Sequence, residues 1–114
     1  NPVMHFEIMG KDALALQEFY AEVFEWELSP PMAEFGNYSL LDSDGRGIGG
    51  GIGEGDARVT VYIEVDDPQA YLDRATAAGA TELMPVTTIM EGTTIAMFAD
   101  PAGNVTGLLK AEPA

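Results

Sequence analysis

His5 is the single histidine in a chain of 114 residues. It stands two positions before Glu7 in the run Val3-Met4-His5-Phe6-Glu7-Ile8-Met9. Polar and apolar residues alternate there, so the run reads as a strand with His5 and Glu7 on one face and Phe6 and Ile8 on the other. An imidazole titrates near neutrality and suits a ligand-contacting base. A carboxylate suits acid or base work beside it. Tyr62-Ile63-Glu64-Val65 lies 57 residues further on and repeats the pattern, setting Tyr62 against His5 and Glu64 against Glu7. Two carboxylates held close together repel, which raises one pKa and favours proton transfer. His5, Glu7 and Glu64 are therefore the expected catalytic residues. The plainer alternative is that His5 is satisfied by a neighbouring group, and that each carboxylate meets a donor or the solvent.

Other chemistries are absent. With no cysteine there is no thiolate nucleophile, disulfide or Cys-based metal site. The net charge is −14, from 19 Asp and Glu against 5 Lys and Arg. Those five (Lys11, Arg46, Arg58, Arg74 and Lys110) are scattered, which excludes the clustered phosphate contacts of a nucleic-acid binder. An anionic membrane surface is disfavoured for the same reason. No run approaches the ~20 apolar residues of a membrane span, and no signal-peptide pattern opens the chain, so the cytoplasm is the expected location. A field of this sign attracts cations. Such acidity also occurs in salt-adapted proteins.

The elements that position these residues can be read from the same string. Asp12 is a plausible N-cap, and from Ala13 to Phe24 the residues Leu16, Phe19, Tyr20, Val23 and Phe24 recur at helical spacing. Trp26–Met32 and Phe35–Leu41 read as short strands, the first ended by Pro30-Pro31. Val59–Val65 is a clear β run. Asp67-Pro68 opens a second helix that reaches about Ala78, with Gly79 beyond it. Strands at Glu82–Ile89, Thr94–Ala99 and Val105–Leu109 complete the pattern, with turns at Glu91-Gly92 and Asp100–Asn104. The order β-α-β-β-β thus occurs twice, in residues 1–56 and 57–114 of one expected domain.

Residues 45–55 hold seven of the thirteen glycines. Gly45, Gly47 and Gly50 match G-x-G-x-x-G, but a dinucleotide site requires a helix directly afterwards. A weak strand around Gly47–Ile52 and then a linker are expected instead. So much glycine in a strand implies close approach of another group.

The chain resembles the vicinal oxygen chelate superfamily, which includes glyoxalase I, bleomycin resistance proteins and extradiol dioxygenases. The resemblance is carried by His5-Phe6-Glu7-Ile8, by Phe19-Tyr20 with Val23-Phe24 and Trp26, by Val61–Asp67, and by Phe98-Ala99-Asp100-Pro101-Ala102-Gly103-Asn104. It implies an α+β fold of two βαβββ modules whose curved mixed sheet forms a cup with helices outside. Phe6, Ile8, Ile63 and Val65 would then face the helices. His5, Glu7, Tyr62 and Glu64 would face the cup and contact a ligand, with Trp26 and Tyr38 stacking on it.

Family members that use a metal take one ligand from the first and last strand of each module. The resemblance assigns these positions to His5, a residue near Gly49, Tyr62 and Gly107. One in four is a good ligand, and a stable site normally takes three. The expectation is therefore no metal and no other cofactor, with a small organic ligand, neutral or cationic, in a homodimer. Two rival readings stand beside it. One is a metal-dependent lyase, isomerase or dioxygenase of the glyoxalase type. The other is a non-enzymatic protein that sequesters a cationic drug.

Overall fold

A computed structural model describes residues 1–112. Seven strands and two helices form an α+β fold of mixed parallel and antiparallel pairing. The chain divides into two compact units, His5–Thr60 and residues 61 onward with Asn1–Met4. No helix among the described residues is long and apolar enough to cross a membrane.

In the unit His5–Thr60, β1 (Val3–Gly10) leads into α1 (Ala13–Phe24), followed by β2 (Ser39–Leu41) and β3 (Gly49–Glu54). β3 lies between the other two, parallel to β1 and antiparallel to β2. The Asp12 carboxylate accepts from the Ala15 amide at 3.1 Å and closes the first turn of α1. The helix buries Ala13 and Gln17 rather than the aromatic residues that its periodicity suggested. Phe19 and Val23 remain 54% and 52% exposed. The ground beneath α1 explains the difference. The helix runs against the glycine strand β3, where short or polar side chains fit, and the Gln17 amide donates to the buried carbonyl of Ile52 at 2.8 Å and the half-buried carbonyl of Asn37 at 2.7 Å. Phe6, Tyr20, Phe24 and Trp26 gather in one aromatic cluster, Tyr20 and Trp26 stacked with centroids 5.5 Å apart.

The expected strand at Trp26–Met32 is reduced to single bridges, Leu28 to Leu41 and Met32 to Tyr38. Pro30 and Pro31 remove two successive donors, so no ladder can run through the segment. The expected strand at Phe35–Leu41 survives only as β2. A short 3₁₀ turn at Ala33–Phe35 precedes it, and Gly36 and Asn37 take left-handed φ values of 65° and 54°, which no strand accommodates.

β4 (Arg58–Val65) starts at the end of the unit His5–Thr60 and continues into the other, where α2 (Pro68–Ala77), β5 (Thr81–Met90), β6 (Thr93–Ala99) and β7 (Val105–Lys110) complete the expected order, each within two residues of the sequence reading. β4 pairs parallel to β7, β7 antiparallel to β6, and β6 antiparallel to β5. Val65, Leu72, Ala96 and Leu108 are buried together with Ile63, Tyr71 and Phe98 packed on them, so Ile63 and Val65 face α2 as expected. Tyr62, Ile95 and Met97 form a second buried cluster. The turn before β7 is built by Asp100. Its carboxylate accepts from the amides of Ala102 and Asn104 at 2.9 Å each and from Asn104 Nδ2 at 3.0 Å. These bonds hold its carboxyl below the ordinary carboxylate range.

Candidate functional site

The site begins with β3. Its register sets His5 opposite Gly49, Phe6 opposite Gly50 and Glu7 opposite Gly51. A side chain at Gly50 would collide with the Phe6 ring, and one at Gly51 with the Tyr38 ring. Aromatic rings thus cover the glycine strand from both sides, and this supplies the packing that glycine cannot. Lying across Gly51, Tyr38 brings its hydroxyl to the face of β1 that carries His5 and Glu7. It meets His5 Nε2 at 2.9 Å and donates to Glu7 Oε2 at 3.1 Å.

Arg58, the first residue of β4, completes the group. Its Nη2 lies 3.3 Å from Glu7 Oε1, and its Nε donates to Thr60 Oγ1 at 3.2 Å. Glu7 is 8% exposed and Thr60 1%. The Glu7 charge is therefore held between a guanidinium and a phenol, as a buried carboxylate must be. Burial of the imidazole lowers the His5 pKa, and the neighbouring Glu7 charge offsets part of that fall. The ring is thus neutral at pH 7.

His5 also forms one wall of an open pocket of about 540 Å³. Glu27, Ser29, Leu40, Asp42 and Gly49 contribute to the other walls. Ser29 Oγ accepts from the Leu40 amide at 2.9 Å, which fixes that wall. The pocket joins apolar surface to two carboxylates and an imidazole.

Of the residues singled out from sequence, the structure brings His5, Glu7 and Tyr38 together. It does not bring Trp26 to them. Trp26 stacks on Tyr20 and contacts Phe6, whose side of β1 is opposite to that of His5. Tyr62 and Glu64 belong to the other unit. Tyr62 is buried, with its hydroxyl 3.9 Å from Met97 Sδ, and Glu64 is half-buried, with its backbone amide donating to the Pro2 carbonyl at 2.8 Å. Sequence reasoning missed Arg58 and Thr60. The signal was present: counting back by twos from Tyr62 reaches both. The pocket residues Glu27, Ser29 and Asp42 carried no such signal, because they come from irregular segments.

The four positions that the resemblance assigns to metal ligands form two cross-strand pairs, His5 with Gly49 and Tyr62 with Gly107. The Tyr62 ring lies over Gly107, where any side chain would strike it. One imidazole, two glycines and a packed tyrosine do not make a donor set for the metals of this fold. Among the described residues no group of three or more His, Asp or Glu side chains is gathered to hold a metal ion.

Comparison with known proteins agrees with the architecture. Over 114 residues the chain is 27% identical to "Putative glyoxylase CFP32" of Mycobacterium tuberculosis and Mycobacterium bovis, covering 92% of this chain. It spans 44% of the length of those relatives. A glyoxalase/bleomycin resistance protein/dioxygenase superfamily member from Vibrio splendidus shares the fold at a TM-score of 0.70 and 16% identity, covering 96% of this chain and 98% of that one. Methylmalonyl-CoA epimerase from Mycobacterium tuberculosis does so at 0.70 and 15%, covering 97% and 88%. The family model described as glyoxalase-like domain matches residues 6–109, and this chain belongs to that family within the vicinal oxygen chelate superfamily.

Proposed function

We propose that this chain binds a small organic molecule in the pocket beside His5, and that it does so without the metal centre usual in its superfamily. The observation that supports this reading is the donor set. Of four inherited positions, His5 alone offers a good ligand, and Tyr62 occupies the space above Gly107. What remains is a metal-independent polar group, His5 with Tyr38, Glu7 and Arg58, bordering a pocket. Glu64 and Tyr62 are the proposed further contacts, and a homodimer is the proposed assembly. The ligand is neutral or cationic, because Glu27 and Asp42 line the pocket. The likeness to methylmalonyl-CoA epimerase, at 15% identity, carries the fold and not the substrate.

Metal analysis of purified, undialysed protein tests this. The expected result is far less than one metal per chain. One tightly held Ni, Zn, Fe or Mn per chain overturns the reading. It would restore the metal-dependent lyase, isomerase or dioxygenase, whose further mark is turnover of a glutathione hemithioacetal abolished by His5→Ala.

The same two pocket carboxylates favour one second reading, sequestration of a cationic drug. Calorimetric titration with a basic glycopeptide antibiotic separates it from an enzyme. Tight binding without turnover supports a trap, and no heat at high concentration rejects it.

A further inference from the structure

The outer face of α1 has no part in the group around His5. Its C-terminal half carries Phe19, Val23 and Phe24, each more than half exposed. Glu18 and Glu22 stand one turn apart, as do Phe19 and Val23, so an acidic row and an apolar row run side by side along the helix. Glu25 extends the acidic row, and Phe24 adjoins the apolar one. The exposed rings rest on others behind them. Phe19 meets Tyr20 edge-on with centroids 5.1 Å apart, and Phe24 lies 5.5 Å from Trp26. Clustered apolar rings held in water mark a contact surface.

The charges point the same way. Like charges at i, i+4 repel. Carboxylates at a helix C-terminus oppose its dipole. Glu22 lies in the last turn of α1 and Glu25 is the C-cap, in left-handed conformation, with no basic residue in that turn. Among the described residues none of Glu18, Glu22 and Glu25 has an ion-pair partner. Lys11 stands before the N-cap, about 20 Å along the axis from Phe24. The other helix makes the contrast. The last turn of α2 holds Arg74, whose guanidinium sits 4.8 Å over the Tyr71 ring. α2 thus covers an aromatic ring and complements its own dipole with one cation, and α1 does neither.

We infer that the outer face of α1 is a docking surface for a basic amphipathic segment of a partner protein. Apolar side chains of that segment, at helical spacing, pack on Phe19, Val23 and Phe24. Lysines or arginines beside them meet Glu18, Glu22 and Glu25, complement the carbonyl end of α1 and lie against the aromatic rings. Charge selects this occupant over a second copy. Two copies meeting through α1 would bring together chains of net charge −14, with neither lysine nor arginine among the facing residues of the two rows. The inference goes beyond the proposed reading of the pocket and does not rest on it.

The probe is a fluorescein-labelled peptide of about 15 residues with leucines at helical spacing and lysines beside them. Anisotropy titration of the full chain should show saturable binding that weakens at least tenfold between about 20 and about 500 mM NaCl. The single tryptophan locates the contact, because the Trp26 indole N–H resonance should shift to saturation as peptide is added. Glu18→Gln/Glu22→Gln should weaken binding at least fivefold. Phe19→Ser should do the same, as should Val23→Ser, which keeps the test open if Phe19→Ser does not fold. Glu82→Gln/Glu91→Gln removes equal charge from exposed positions elsewhere and should leave the affinity within twofold. No binding at low salt overturns the inference, as do equal losses from the two charge pairs, which would assign binding to the overall field. Affinity indifferent to Phe19 and Val23 overturns it too. A concentration-dependent dimer in sedimentation that Phe19→Ser dissolves would give the face to a second copy, and so overturn it as well.

Discussion

At the scale of single residues, burial and hydrogen bonding decide which of the 19 acids and one histidine matter. Because burial lowers the His5 pKa below its ordinary 6.5, the unfolded chain binds the proton first as the solution is acidified. Stability must then fall as pH drops through about 6.5 toward the folded-state value, by at most one proton's worth of slope. Denaturant melts between pH 8 and 5 should show this slope in the wild type and lose it in His5→Gln. An equal slope in both proteins would assign it to carboxylates elsewhere. The pairing of His5 with Glu7 on one face was legible in the sequence, because strand alternation is a strict geometric rule. The Arg58 partnership was not, since a lone arginine in an acidic chain reads as a scattered cation until its strand neighbour is known.

At the scale of elements, the glycine strand β3 is the least expected success of the fold. Glycine is a poor strand former, yet four of its six residues are buried. The rings of Phe6 and Tyr38 account for that, each filling the space that a side chain on β3 would have taken. Gly51→Ala should therefore cost about 2 kcal/mol in urea unfolding through overpacking. It should also swing Tyr38 away from His5 and Glu7, which shifts the NMR signal of the single imidazole. Retention of both stability and signal would show that Tyr38 does not depend on that space. The second module was readable nearly to its boundaries because Val59–Val65 and the Asp67-Pro68 start carry strong local signals. The first was less so. Pro30-Pro31 and the left-handed Asn37 override apolar patterning, and α1 turns its Gln17 inward because carbonyls beneath it need a donor. Neither effect is a property of periodicity.

At the scale of the whole molecule, the net charge of −14 sets the field in which a ligand arrives. Screening shortens its reach from about 30 Å at 0.01 M salt to about 3 Å at 1 M. Affinity for a small organic cation should consequently fall several-fold between 20 and 500 mM NaCl in calorimetric titration, while a neutral analogue of the same shape keeps its affinity. Similar salt slopes for both would mean that Glu27 and Asp42 do not meet the ligand's charge. Tyr62 resting on Gly107 has a consequence on a longer timescale. An acidic side chain cannot be introduced at position 107 while the ring remains, and replacing the ring alone leaves a hole beside Ile95 and Met97. Each single step toward a pair of metal ligands at these positions is penalised, and the benefit of the pair comes only after both. The two positions are thus coupled by sign epistasis, and a ligand pair there is reached only by changing both together.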